Sequence, residues 1–329
     1  MNRKLIIIII TTLCFILSSC KEDKAPVTAP TPITKRKVPA FNADNAYANI
    51  EEQLAFGTRV PGTDGHAKTI NWIESRLKNY NAKVIKQKFK ASFFDKKDVA
   101  CTNVIGQINP SATKRILLAA HFDSRMVAEK DDERKDEPIP GADDGGSGVA
   151  VLLEIARLVN ENGIDIGVDF IFFDAEDQGE SGVTGKASTW AIGSQHWGKN
   201  VVPTGYRAKF GILLDMVGSD KATFGKEEYS TRFAPRVQQK IWDLAKNMGY
   251  SDFFRDEVYG PVFDDHIAVN RDAGIKMVDI INQSPEDRSS FGFYHHTHDD
   301  DIDVISKRTL QVVGQVVTSV LYNESNGTF

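Results

Sequence analysis

Three histidines, His295, His296 and His298, fall within one four-residue span that runs straight into Asp299 and Asp300, in a chain with only seven histidines. Other acidic and imidazole side chains arrive in short groups. His121 and Asp123 stand in AHFDSR, Asp143 and Asp144 in GADDGGSG, Asp174, Glu176 and Asp177 in FFDAED, Asp215 in LLDMVG, and Asp264, Asp265 and His266 in DDHIAV. One acidic residue after an apolar run is most simply a helix cap or turn former. Several such arrivals, joined by His121 and a histidine cluster and without cysteine, make the carboxylate and imidazole donor set of a zinc site.

The elements that must position these groups are legible as well. Short continuous apolar runs at 116–120, 168–173, 210–214 and 275–281 have the character of strands covered on both faces. Between them come helical spacings: Val149, Leu152, Leu153, Ala156 and Val159; Phe233, Val237, Ile241 and Leu244; and, from near Ser306, Leu310, Val313, Val317 and Leu321. Asp64 is positioned to cap a further helix that carries Ile70, Ile73 and Leu77 inward. Strands alternating with helices predict a three-layer α/β/α domain with a mixed, mainly parallel sheet. Such sheets bind ligands beyond the carboxyl ends of their strands, where the chemical residues fall.

The amino terminus reads differently. Residues 1–19 have a basic start at Arg3 and Lys4 and an apolar run too short to span a bilayer, which is a secretory signal. The Leu-Ser-Ser-Cys ending resembles a bacterial lipobox, with Cys20 as the lipidated first residue of the mature chain. Residues 20–40 are proline-rich without apolar periodicity and read as a tether; residues 41–329 form the catalytic domain. The expectation is an exported, membrane-anchored lipoprotein, periplasmic or at the cell surface. Cys14 leaves with the signal and Cys20 is acylated, so Cys101 has no partner for a disulfide and is expected buried in a strand. Forty basic against 45 acidic residues, dispersed along the chain, argue against a nucleic-acid partner. The run at 128–140, AEKDDERKDEPIP, reads as a solvated loop.

In order and spacing, AHFDSR, GADDGGSG, FFDAED, LLDMVG, DDHIAV and HHTHDD resemble the zinc-dependent exopeptidase family, which includes two-zinc aminopeptidases and glutaminyl cyclases. The aminopeptidase pattern implies one zinc on His121, Asp144 and Asp215 and a second on Asp144, Asp177 and His296. The cyclase pattern implies a single zinc on Asp144, Asp177 and His296. There Glu176 carries protons, and Asp215 and Asp265 form an acidic pair beside it. All ligands for two metals are present, so the ligand set leaves both open. Asp-Asp-His in DDHIAV, where aminopeptidases commonly have Ser-Asp-His, together with IGSQHW and FGTRVPGTDGH, resembles the cyclases. The expected activity is conversion of the N-terminal glutamine of peptides to pyroglutamate, with a two-zinc aminopeptidase and a non-catalytic binding module as alternatives. The resemblance further implies a cis peptide between Asp144 and Gly145. Asp123 and Asp300 are expected to orient imidazoles, His121 to be idle in a cyclase, and Trp190 to wall the substrate pocket.

Overall fold

The computed structural model describes residues 35–180, 189–288 and 290–329. The signal, Cys20 and most of the proline-rich stretch lie outside the described residues. A six-stranded sheet has the order β1-β2-β4-β3-β5-β8. Its strands are β1 (Lys83–Phe93), β2 (Lys96–Ile108), β3 (Arg115–His121), β4 (Gly167–Phe173), β5 (Phe210–Asp215) and β8 (Met277–Ile281). The last four are mutually parallel, while β1 and β2 run antiparallel along one edge. A small parallel pair, β6 (Phe224–Glu227) and β7 (Phe254–Tyr259), stands apart from it.

Two-sided burial explains the unbroken apolar runs. Ile116, Leu118 and Ala120 of β3 join the larger core, whereas Leu117 and Ala119 join a second core on the opposite face. Side chains alternate across a strand, so a strand with cores on both sides has no polar face to show. The larger core is closed by α1 (Ala43–Ala55), α3 (Gly146–Asn162) and α8 (Lys307–Ser325); the second by Trp197 of α4 (Ile192–Lys199) and Val269 of α7 (Asp265–Arg271). Truncating a buried residue such as Leu118 to alanine costs about 2–5 kcal/mol in sites of this kind. Leu310, Val313, Val317 and Leu321 of α8 are all fully buried, and Ser306 caps that helix by accepting from Thr309 N.

Two boundaries differ from the sequence reading. Thr63, not Asp64, caps α2 (Asp64–Asn79), because its hydroxyl reaches the free N–H of His66. The helical spacing begun at Phe233 is split by Pro235 into α5 (Glu228–Phe233) and α6 (Pro235–Asn247). Residues 35–40 are extended but fastened to the body. Arg36 pairs with Asp165 at 2.7 Å and exchanges hydrogen bonds with Asn326, and Gln315 donates to Pro39 O.

The topology decides where chemistry can occur. After β4 the chain returns to the far side of β3 to form β5, which leaves a crevice at the carboxyl end of β3. His121, residues 174–177 and Asp215 all stand on that edge.

Candidate active site and metal centre

His121 ends β3, and its Nε2 lies 3.0 Å from Asp144 Oδ1 and 3.3 Å from Asp215 Oδ1. The other Asp144 oxygen, Oδ2, is 3.9 Å from His296 Nε2 and from His295 Nε2. His296 Nε2 lies 3.1 Å from Asp177 Oδ1. All of these groups are buried. The Asp144–Gly145 peptide is cis, as the resemblance implied. Glycine is needed there for space: a Cβ on Gly145 would sit 2.4 Å from His121 O and 2.5 Å from its Nε2.

Asp123 faces the His121 imidazole as expected and also holds backbone; Asp300 holds backbone in place of an imidazole, which corrects the expectation for it. Asp123 accepts from Glu176 N at 3.0 Å, Asp177 N at 3.1 Å and the Gln178 amide at 2.9 Å, and stands 3.5 Å from His121 Nδ1. Asp300 accepts from Asp143 N at 2.7 Å and Asp144 N at 3.2 Å. Each buried carboxylate thus gathers the N–H groups of a turn that carries a candidate ligand, groups that would otherwise be left unsatisfied.

A cavity of about 300 Å³ opens onto these groups, lined among others by Glu176, Asp215, Asp264 and Trp190. Trp190 stacks parallel to His296 with centroids 5.9 Å apart, and Arg125 lies 4.6 Å over its ring. Of the other aromatic residues near it in sequence or beside the histidine cluster, Trp197 is core, Tyr294 is buried and donates to Asp143, and Phe293 is 81% exposed. Phe263 and Phe291 complete the apolar wall.

Asp264, not Asp265, presents its carboxylate to this cavity. Asp264 caps α7 by accepting from Asp265 N, while Asp265 is fully buried behind it. Burial raises the Glu176 carboxyl well above the usual range, and the charges of Asp264, Asp265 and Asp177 add to that while His121 opposes it. Burial first, then Asp264 and Asp144, push Asp215 up to about 8. Three mutually repelling carboxyl groups in one crevice resist joint ionisation.

The loop at 128–140 is not simply solvated. Glu129 accepts from His296 Nδ1 at 2.8 Å and is gripped by Arg125, whose Nε and Nη2 lie 2.6 and 3.0 Å from its oxygens. Lys130 Nζ bonds His295 Nδ1, and Asp131 Oδ2 meets His298 Nδ1 at 2.8 Å. Three consecutive loop residues therefore engage all three clustered histidines. Contacts separated by more than 160 residues leave no local pattern; the run of alternating charges was the only signal available.

The other histidines are structural. His66 bonds Asp174, His196 stacks on Phe89, and His266 lies 3.2 Å from Glu227 and 3.7 Å from Asp279. Cys101 is buried in β2, as expected.

The donor set fits zinc. Asp144 and His296, with Asp177, supply two oxygen donors and one imidazole nitrogen, and Asp177 Oδ2 is buried without a hydrogen-bond partner. Three protein ligands leave a fourth position for substrate. Among the described residues, two groups on this edge lie close enough to hold a metal: Asp144 with His295 and His296, and His121 with Asp144 and Asp215.

A mainly parallel sheet with these donors on its carboxyl edge defines a zinc-dependent enzyme. Residues 103–321 match the sequence profile of Peptidase family M28, and the chain belongs to that family. It resembles the crystal structure of Bacteroides thetaiotaomicron glutaminyl cyclase, at 44% identity over 87% of this chain and 99% of that one, with a TM-score of 0.84. It is also similar to a structure described as a leucine aminopeptidase precursor from the same organism, at 43% identity over 88% and 99% of the two chains, with a TM-score of 0.83. Against curated proteins the chain spans less of the partner. It covers 44% of the Bacillus subtilis aminopeptidase YwaD at 28% identity, and 64% of the bovine glutaminyl-peptide cyclotransferase at 26%; it is matched over 67% and 66% of its own length.

Proposed function

We propose that this chain is a zinc-dependent glutaminyl-peptide cyclotransferase, converting the N-terminal glutamine of peptides and proteins to pyroglutamate with release of ammonia. The observation that carries this reading is the place of Asp264. It is the first residue of Asp-Asp-His, the position where aminopeptidases commonly have serine, and it adds a third carboxyl group to a cavity already holding Glu176 and Asp215.

The chain's own residues have defined work in that reaction. The substrate's α-amine attacks its side-chain amide carbon; a C–N bond forms, the bond to the amide nitrogen breaks, and ammonia leaves without consumption of water. A free α-amine has a pKa of about 7.7–8.0 and needs little activation. Glu176 takes a proton from the attacking nitrogen and hands it to the departing one. Asp215 and Asp264 hold the two nitrogens, and a proton retained between these carboxyl groups keeps the crevice from accumulating charge. Trp190 and Phe291 wall the cavity against water. Asp144, Asp177 and His296 would hold zinc, which would supply Lewis acidity to the reaction.

The second reading is a two-zinc aminopeptidase, favoured by the closeness of His121, Asp144 and Asp215. One assay pair tests both. Ammonia from Gln-peptides with no free amino acid from Leu-peptides is expected; the reverse result replaces the proposal with the aminopeptidase.

The proposal includes export and anchoring through a lipid on Cys20, on the strength of the basic start, the apolar run and Leu-Ser-Ser-Cys. Loss of membrane association in a Cys20→Ala variant is the expected result.

A further inference from the structure

His295 and His296 are sequence neighbours, stack with ring centroids 3.7 Å apart, and both place Nε2 at 3.9 Å from the same Asp144 oxygen. Judged by distance to Asp144 alone, either could ligate a metal there. What separates them is the partner each finds at Nδ1. A neutral imidazole has one N–H and one lone pair, and the bond made by one ring nitrogen fixes the state of the other. Glu129 is a carboxylate that accepts from His296 Nδ1, so that nitrogen carries the proton and Nε2 is left with a lone pair facing Asp177 and Asp144. Lys130 is an ammonium with donors only, so His295 Nδ1 accepts and its proton resides on Nε2.

We infer that Glu129 and Lys130 assign opposite tautomers to adjacent histidines, making His296 a metal ligand and His295 a hydrogen-bond donor to a carbonyl oxygen of the bound peptide. Among the described residues no hydrogen bond occupies the His295 Nε2–H, since 3.9 Å to Asp144 is too long for one. Both His295 and Lys130 line the cavity, and His295 is held in place by Phe291 at 4.5 Å on the ring. The acceptor assigned to His295 is the backbone carbonyl of the peptide's first residue, a group that takes no part in the cyclisation. Lys130 is a positioning residue: it acts on the substrate through the ring it holds. The inference rests on reading the cavity as a site for a peptide N-terminus.

The test uses the zinc-loaded protein with 15N-labelled histidine and long-range proton–nitrogen correlation of the imidazole rings. The expected spectrum has His295 protonated at Nε2 alone and His296 protonated at Nδ1 alone. An unprotonated Nε2 on His295 would overturn the inference, and this measurement needs no variant to fold. Zinc affinity gives a second arm. His295→Leu and His295→Gln are expected to bind zinc within about threefold of the wild type, whereas His296→Ala loses at least the 10–100-fold typical even of lost outer partners. Equal loss in His295→Leu and His296→Ala refutes the assignment. In the activity arm, with whichever of the Gln- or Leu-peptide is turned over, His295→Leu is expected to raise KM about tenfold with kcat little changed, the mark of a binding contact to a non-reacting group. His295→Gln, which keeps a donor, recovers most of that loss; an unchanged KM in His295→Leu counts against the donor role. Lys130→Met is expected to give His295 mixed tautomers, and a single Nε2–H tautomer in that variant removes Lys130 from its role. Hydrolysis of Leu-peptides in place of cyclisation would sink the proposed function and leave the tautomer assignment standing.

Discussion

His121 Nε2 reaches Asp144 Oδ1 at 3.0 Å, while the second oxygen of the same carboxylate is turned toward His296. One side chain thus faces two candidate metal positions, and the cis peptide that follows it is part of the turn that places it. Asp300 fixes that turn from beneath through the N–H groups of Asp143 and Asp144.

Replacing Glu176 with glutamine removes the proton carrier while leaving Asp144, Asp177 and His296 in place. The expected outcome is unchanged zinc content with kcat reduced by about 10²–10⁴. Ammonia release and metal analysis on one preparation check it, and activity near the wild-type level would remove Glu176 from the role.

Asp264→Asn and Asp265→Asn separate two adjacent carboxyl groups. Only Asp264 lines the cavity, so its variant is expected to lose about 10²-fold or more in kcat/KM, the scale of a general acid–base contribution. Asp265→Asn should stay within about tenfold, because Asp265 is buried away from the cavity, burial and the charge of Asp264 raise its pKa, and the amide copies the shape of the acid. The opposite ranking would restore the expectation drawn from the sequence.

Chelation should abolish activity and lower the Tm, with both restored by zinc, since a metal bound only by the folded state adds to its stability. His121→Ala discriminates stoichiometry. A cyclase with one zinc keeps its metal and most of its activity; loss of a second zinc together with activity identifies the aminopeptidase arrangement.

His66 and Asp174 set a pH dependence of stability away from the metal. Burial draws the His66 pKa down, but the hydrogen bond and charge of Asp174 outweigh it and leave the imidazole above its ordinary 6.5. Asp174 is itself raised by burial, with the His66 contact opposing. Both shifts make the folded state hold protons, so both weaken it as pH rises. The His66 contribution is complete below about 6.5 and is lost as pH climbs through the raised folded value. Urea midpoints of wild type and His66→Gln should therefore converge as pH rises above about 6.5; a gap that widens with pH would reverse the assignment.

The sheet was legible because two-sided burial leaves a plain mark, uninterrupted apolar runs, and because β3 and β5 end in a chemical residue and β4 runs directly into an acidic turn. His121, residues 174–177 and Asp215, which the structure gathers on that edge, were legible for the same reason. Asp264 and Asp265 were confused because neighbouring residues entering a helix point about 100° apart, a difference that the letters Asp-Asp do not carry. Asp300 was expected to meet an imidazole and meets backbone, because which N–H a carboxylate finds depends on how a turn closes. Glu129, Lys130 and Asp131 were passed over since solvated loops share their composition, and their histidine partners stand far along the chain.

Arg36, Asp165 and Asn326 meet at the end of the molecule from which β4 starts, the reverse of the end where His121 and Asp215 emerge. Whatever pulls on the polypeptide ahead of Lys35 therefore loads the floor of the domain. An affinity handle or surface linkage placed at that floor should leave turnover untouched.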